Sequence, residues 1–179
     1  MEKEELREGL KRLKAHVEQY ELESVFLEEG EEAELDSLVI GLEVSEELSL
    51  DLTCNFVALP DYGGMLQFYG QLELDGMMKE SPETLTEPVI LQMVNTLNKV
   101  ISVGQLLYMQ DEEEPEHTIG MRYTMLTELD SEDELEKCID IIELMMDIYE
   151  LLCSVLILIL DGDTVQEAME TVAELVQEM

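Results

Sequence analysis

Basic residues are scarce in this chain of 179 residues: 9 Lys and Arg stand against 44 Asp and Glu, which leaves a formal net charge of −35. Proteins bind bare nucleic acid with Lys and Arg that neutralise phosphates, so direct nucleic-acid binding is not expected. An anionic membrane surface repels such a chain for the same reason. The longest apolar run, residues 151–160, is about half as long as a helix needs to be to cross a bilayer, so no membrane association is predicted.

Cysteine and histidine are also rare, with 3 Cys and 2 His in the chain. Cys54, Cys138 and Cys153 have no close spacing, which argues against a disulfide framework or a structural zinc site. They are predicted to be buried, reduced thiols. His16 is expected beside the apolar stripe of the first helix, and His117 is expected to open a strand. Neither histidine is predicted to be catalytic.

Motifs that would identify an enzyme or a cofactor site are missing. Among 44 carboxylates close pairs are inevitable, so no pair can be singled out as a general acid and base. The pair Gly63-Gly64 lacks the Lys-Ser/Thr that follows a phosphate-binding loop. Residues 161–163 begin like a calcium loop but lack its later Gly and Glu, and are predicted to break a helix. We therefore predict no enzymatic activity, no catalytic residues, no cofactor and no metal site.

Hydrophobic residues make up 46% of the chain, which is enough to form the core of a folded domain. The charge is uneven, because the first fourteen residues hold five of the nine basic residues and have a net charge of +1, against −36 for the rest. That first segment is expected to dock on the acidic body or on an acidic neighbouring subunit. It has no apolar stretch of the secretory kind, which predicts a cytoplasmic protein.

Hydrophobic spacing divides the chain into three parts. Residues 1–22 carry apolar side chains three and four apart, which is typical of an amphipathic helix. Over residues 35–127 the period changes to two, which predicts a sheet that also holds a central helix. Residues 130–178 return to helical spacing and predict the C-terminal helices. The whole chain, 1–179, is predicted to be a single α+β domain with an antiparallel sheet and the order α-βββ-α-ββ-α-α.

Local signals place the ends of several elements. Pro88 lies in the first turn of the central helix, where its missing N–H costs nothing. Alternation predicts two later strands over 103–110 and 117–127. Asp163 and Gln166 are predicted to cap the last helix.

The segment 148–160 would be apolar nearly all round a helix, so it must be covered on more than one side. A second copy of the chain would cover it, which predicts a homodimer through the long helix or through the edge of the sheet. The last helix is the other candidate cover.

The central helix and the strand after it carry a resemblance to a known family. Val94-Asn95-Thr96-Leu97-Asn98, leading to Gly104-Gln105-Leu106-Leu107-Tyr108 and the acidic Asp111, resembles the YbjN-like family of sensory transduction regulators, whose members often have two asparagines in this helix. The succession of elements over residues 3–160 is similar to the type III secretion chaperone-like fold of that family. The resemblance implies a small, acidic, often dimeric, non-enzymatic protein whose partners are other proteins. The large acidic excess and the last helix depart from the family pattern.

Four residues are candidates for partner contact. Met77 and Met78 form an apolar pair in a stretch, 76–87, that is predicted to be a polar connection, and an exposed apolar pair suits a client or partner. Asn95 and Asn98 lie between the stripe positions of the central helix. They are predicted to be solvent-facing or strand-capping amides, with partner contact as the alternative.

The favoured function is a non-enzymatic, acidic protein-binding protein, chaperone-like or regulatory, that offers apolar grooves while its charge maintains solubility. Carboxylates favour basic protein partners at low salt. The alternative is an acidic nucleic-acid mimic that inhibits a basic DNA- or RNA-binding protein. An enzyme with an unrecognised carboxylate site, and adaptation to high salt, are further alternatives.

Overall fold

The computed structural model of the protein describes residues 2–30, 33–44, 49–59, 63–101, 103–110 and 116–178. These residues form five α-helices and six strands. In chain order they are α1 Lys3–Val17, β1 Ser24–Leu27, β2 Ser37–Glu43, β3 Ser49–Leu59, β4 Gly63–Glu73, α2 Asp75–Glu80, α3 Glu87–Leu97, β5 Gln105–Gln110, β6 His117–Thr127, α4 Glu132–Leu160 and α5 Val165–Glu178. A 3₁₀ turn, Glu18–Tyr20, follows α1. Within the described residues, no helix has both the length and the apolar character needed to cross a bilayer.

The six strands form one antiparallel sheet in the order β1-β2-β3-β4-β6-β5. Cys54 of β3 lies opposite Leu38 of β2 and opposite Phe68 of β4, and all three side chains are buried. Residues two apart along a strand point to the same face, so this register gathers the alternating apolar side chains on one side of the sheet. The predicted α+β class and the antiparallel sheet are confirmed.

The order of elements differs from the predicted α-βββ-α-ββ-α-α in two places. A further strand, β1, precedes the predicted start of the sheet at residue 35. A further short helix, α2, occupies part of the stretch 76–87, where the sequence predicts a polar connection. Both elements are short, four and six residues, and an element of that length does not show a periodicity of its own.

The chain divides into two compact units, and the first comprises residues up to 71 together with 121–146. In this unit α1 packs on the sheet through its buried Leu10, Leu13 and Val17, as the predicted stripe requires. The ring of Phe56 lies against two glycines, where an added Cβ would come within 2.9 Å at Gly9 and 2.2 Å at Gly64. Helix α1 and strand β4 can approach this ring because neither glycine carries a side chain.

The second unit comprises residues 72–120 together with 147–179. Ile90, Met93, Val94 and Leu97 form the buried apolar stripe of α3, and Pro88 lies in its first turn as predicted. Most large apolar side chains of α4 after Asp147 are buried in the single chain, whereas Ile157 is 59% exposed. Leu151, Leu158 and Leu160 are partly exposed, so one copy covers part of the segment 148–160, and the homodimer stays a prediction.

The end of α4 and the start of α5 are defined by two hydrogen-bonded motifs. Gly162 has φ +110°, and the N–H of Asp163 donates to the carbonyl of Leu158 at 3.0 Å, which ends α4 as predicted. The cap of α5, however, lies one residue later than the predicted pair of Asp163 and Gln166. The Thr164 N–H donates to Glu167 Oε2 at 3.0 Å and the Glu167 N–H donates to Thr164 Oγ1 at 3.3 Å, which is a capping box.

Candidate functional site

The second unit has an open groove of about 420 Å³ between α3 and α5. Apolar side chains from the turn after α3 and from α5 line it: Val100, Val165, Met169 and Ala173. Gln92, Thr96, Gln166 and Glu170 complete the lining with polar groups. An apolar surface with polar edges is the usual character of a protein-binding groove.

The sequence of each helix accounts for this arrangement. On α3 the buried stripe leaves Gln92 and Thr96, which are four residues apart, on the same outer face, and Val100 lies in the turn that follows the helix. On α5, Val165, Met169 and Ala173 are also four apart, so they form one row along the helix. Val100 is 60% exposed, although a valine gains free energy from burial. The groove therefore presents apolar surface to solvent.

The α5 side of the groove is acidic. Glu170 lines the groove and accepts a hydrogen bond from Gln166 Nε2 at 2.9 Å. Glu167 and Glu174, three residues before and four residues after Glu170, are exposed on the same helix. The capping-box hydrogen bonds from Thr164 lower the pKa of Glu167, so that carboxylate is ionised at neutral pH. A row of negative charge therefore borders the apolar surface.

The two candidate asparagines of α3 have different surroundings. Asn98 is the C-cap residue of α3, and its side-chain amide pairs with the backbone of β5: Nδ2 donates to the carbonyl of Leu106 at 2.9 Å, and Oδ1 accepts from the N–H of Leu106 at 2.9 Å. Asn95 is exposed, and it is the i+3 neighbour of Gln92 in the groove. Asn98 thus holds β5 against α3, and Asn95 is the asparagine that a partner could reach.

Met77 and Met78 do not lie in a polar loop, contrary to the prediction from their sequence context. They belong to α2, and both side chains are only partly exposed. Helix α2 begins at Asp75, and in its first turn the N–H of Met78 donates to the carbonyl of Leu74 at 2.9 Å. The structure does not bring this pair into the groove, and their contact with a partner stays a prediction.

The two histidines occupy well-defined structural positions. His117 opens β6 as predicted, its ring is stacked on Tyr108 with 5.9 Å between centroids, and its Nδ1 is hydrogen-bonded to the Tyr108 hydroxyl. The N–H of His117 also donates to Asp75 Oδ1 at 3.1 Å. His16 is 2% exposed and lies next to Glu132 and Glu136 of α4. Sequence reasoning did not bring these three together, although the i, i+4 spacing of the two glutamates was a signal.

The cysteines are free thiols, with Cys54 and Cys138 buried and Cys153 partly buried. Burial raises the pKa of Cys138 to about 12 and that of Cys153 to about 11. The thiolate is the nucleophilic form, so raised pKa values disfavour nucleophilic chemistry at these side chains at neutral pH. The predicted burial is confirmed for Cys54 and Cys138, whereas Cys153 is only partly buried.

Two open hollows in the first unit have several carboxylates in their lining. One, of about 550 Å³, has Glu4, Glu5, Glu8, Glu128 and Asp130 around Arg12, and Arg12 Nε donates to the carbonyl of Leu129 at 2.8 Å. The other, of about 640 Å³, includes Glu21, Glu23, Glu43 and Asp51. They add to the negative surface of the protein, but carboxylates alone do not define a reaction.

Comparison with known proteins gives no family for this chain. No protein-family model matches the sequence, and no curated protein matches it at a significant level. The resemblance to the YbjN-like family over residues 3–160 therefore stays a prediction.

Proposed function

We propose that the protein is a non-enzymatic, acidic binding protein, chaperone-like or regulatory, that takes a basic helical segment of another protein into the groove between α3 and α5. The observation that carries this proposal is the row of apolar side chains, Val165, Met169 and Ala173, lying beside exposed carboxylates of the same helix.

An amphipathic basic helix is the occupant that fits both features of the groove. Its apolar face, with side chains three and four residues apart, would cover Val100 and Met169, which line the groove. Its Lys and Arg side chains would lie near Glu170 and Glu174, within the range over which charges attract at physiological salt. The net charge of −35 would raise the rate of encounter with such a segment and would repel acidic ones.

The experiment uses synthetic peptides as defined probes. A fluorescently labelled peptide with Leu at helical spacing and Lys elsewhere is compared with a peptide of the same composition and scrambled spacing, and with a Lys→Glu analogue. Fluorescence anisotropy is measured with the full chain at low salt and at roughly 0.3 M salt, where the Debye length is short. We expect the helical basic peptide to bind at least about tenfold more tightly than the scrambled one, and the acidic analogue not to bind.

A matched pair of variants tests the location. Val100→Glu places a charge in the groove at a side chain that is 60% exposed, and Val25→Glu makes the same change on β1 at a side chain that is 59% exposed. Val100→Glu is expected to weaken binding of the helical peptide by about tenfold or more, and Val25→Glu is expected to change it little. If the two variants bind the helical peptide equally well, the groove is not its binding site.

The nucleic-acid mimic has one structural observation in its favour. The exposed carboxylates Glu132, Glu136, Asp140 and Glu143 follow one face of α4 at spacings of four and three residues. In an α-helix these spacings correspond to roughly 4.5–6 Å along the axis, so the row has closely spaced negative charge as a phosphate backbone does. A mimic would bind the scrambled and helical basic peptides equally, and Val100→Glu would have no effect.

A further inference from the structure

His16 of α1 and two glutamates at the start of α4 form a compact cluster in the first unit. Nδ1 of His16 is 3.6 Å from Glu132 Oε1, and Nε2 is 3.4 Å from Glu136 Oε1. One ligand atom from each of the three side chains can be chosen so that all lie within 4.8 Å of one another. Glu132 lies 116 positions after His16 in the chain and Glu136 lies 120 positions after it, so the fold brings distant residues together here.

The imidazole of His16 is buried but not satisfied. The residue is 2% exposed, and Nε2 has no hydrogen-bond partner among the described residues. A buried polar atom without a partner costs free energy, and natural structures rarely tolerate one without a reason. This atom lies 3.4 Å from Glu136 Oε1 without forming a hydrogen bond to it, so a cation bound by both atoms would supply the missing interaction.

The distance between these two atoms suits a metal ion. Zinc is bound at about 2.0–2.2 Å by imidazole nitrogen and carboxylate oxygen, and two ligands at tetrahedral angles are then about 3.4 Å apart. The 3.4 Å between His16 Nε2 and Glu136 Oε1 matches this separation. The Glu132 side chain is 73% exposed, so its carboxylate can rotate to complete the site.

A fourth residue orients the Glu136 carboxylate. The hydroxyl of Tyr20 donates to Glu136 Oε2 at 2.7 Å and leaves Oε1 facing the imidazole. The Tyr20 ring also lies against the His16 ring, with 5.6 Å between centroids. Outer residues that hold ligands in this way are a regular feature of metal sites.

From this geometry we propose that His16, Glu132 and Glu136 form a binding site for a first-row divalent metal ion of the zinc type, with Tyr20 as a positioning residue. One imidazole and two carboxylates are ligands that Zn²⁺ accepts, whereas Mg²⁺ and Ca²⁺ prefer oxygen alone. Three protein ligands leave one coordination position for water or for a partner's side chain. The bound ion would tie α1 to the first turns of α4 and would neutralise two carboxylates there.

The test measures Zn²⁺ binding to the chelator-treated full chain by competition with a chromogenic chelator. Mg²⁺ is present throughout so that the many exposed carboxylates are occupied by a weakly held ion. We expect one tightly bound Zn²⁺ per chain. Glu136→Gln and Glu132→Gln are each expected to lower the affinity at least about tenfold, and Tyr20→Phe is expected to lower it by a similar or smaller factor. Both glutamates are at least partly exposed, so the variants should fold.

Two controls are built into the chain. Glu143→Gln removes an exposed carboxylate of the same helix outside the cluster and should bind Zn²⁺ as the parent chain does. In NMR spectra the imidazole signals of His16 should shift on Zn²⁺ addition, while those of His117, which is hydrogen-bonded to Tyr108, should not. The proposal is overturned if Glu136→Gln and Glu143→Gln bind alike, if His117 responds instead of His16, or if no tight site exists.

Discussion

Arg7 and Asp36 are joined by two parallel hydrogen bonds, from Nε to Oδ2 at 2.9 Å and from Nη2 to Oδ1 at 3.0 Å. The same carboxylate accepts the backbone N–H of Glu29 at 2.8 Å. This fork-to-fork geometry fixes the orientation of both side chains. The basic first helix is thus held on acidic residues of its own chain, which is one of the two arrangements that the uneven charge predicted.

Replacing Asp36 with Asn should lower the free energy of unfolding at neutral pH, because Arg7 loses its ionic partner. The hydrogen bond from Arg7 is the largest cause that holds the pKa of Asp36 below its usual value of 3.8, so its stabilisation is present above that value and is lost as the pH falls through the lower folded pKa. Urea unfolding across this acidic range should show that the free energies of unfolding of the parent chain and of Asp36→Asn converge. Glu8→Gln, which breaks an exposed pair with Lys11, should have a smaller effect, and equal effects would contradict the prediction.

Replacing Asn98 with Ala should destabilise the protein by about 2 kcal/mol, because both hydrogen bonds to Leu106 disappear and a partly buried backbone N–H and carbonyl lose their partners. Asn95→Ala makes the same change three residues earlier at an exposed position and should be nearly neutral. Denaturant unfolding of the two variants measures the difference. Similar losses of stability in the two variants would mean that helix propensity, and not the pair of hydrogen bonds to Leu106, determines the effect.

Replacing Thr164 with Ala should cost about 1 kcal/mol, which is typical for the loss of an N-terminal cap. Both hydrogen bonds that use the Thr164 side chain would be lost, including the one from Oγ1 to Glu167 Oε2 at 2.7 Å. Asp163→Ala is the control, since the sequence pattern predicts that residue as the cap. If thermal unfolding shows a larger loss of stability for Asp163→Ala than for Thr164→Ala, Asp163 is the cap after all.

Replacing Gly64 with Ala should destabilise the protein by about 1–3 kcal/mol, because the new Cβ would lie 2.2 Å from Cε2 of Phe56 and 2.9 Å from the carbonyl oxygen of Thr127. Gly76 of α2 has no atom within 4 Å of an added Cβ, so Gly76→Ala should instead stabilise by about 0.5–1 kcal/mol. Calorimetric unfolding that shows a lower stability for Gly64→Ala and a higher stability for Gly76→Ala would confirm both predictions. A tolerated Gly64→Ala would show that the Phe56 ring moves freely.

Long elements could be predicted from the sequence because each carries enough repeats of its own period. Strand β3 alternates over its first eight residues, and the segment predicted as 117–127 coincides with β6. Strand β1 could not be predicted, since its four residues are held by pairing with β2, for example Val25 opposite Val39. Its position depends on a neighbour rather than on its own pattern.

The candidate sites were harder to predict than the elements that carry them. The groove is formed where the outer face of α3 lies next to one row of side chains on α5. Periodicity predicts which residues of each helix are buried, but not which outer faces lie next to each other. The cluster of His16, Glu132 and Glu136 joins α1 to the distant α4. Among 44 acidic residues, nothing in the sequence marked these two glutamates beyond their spacing.

The first helix can be regarded as a ligand that is permanently tethered to its receptor. It is basic and amphipathic, its apolar stripe is buried, and Lys3 and Arg7 each lie within ion-pair distance of a carboxylate outside the helix. A tethered segment acts at an effective concentration that for short connections is of order millimolar, so it stays bound without high intrinsic affinity. The acidic chain therefore already accommodates, within itself, one segment of the chemical kind proposed for its external partner.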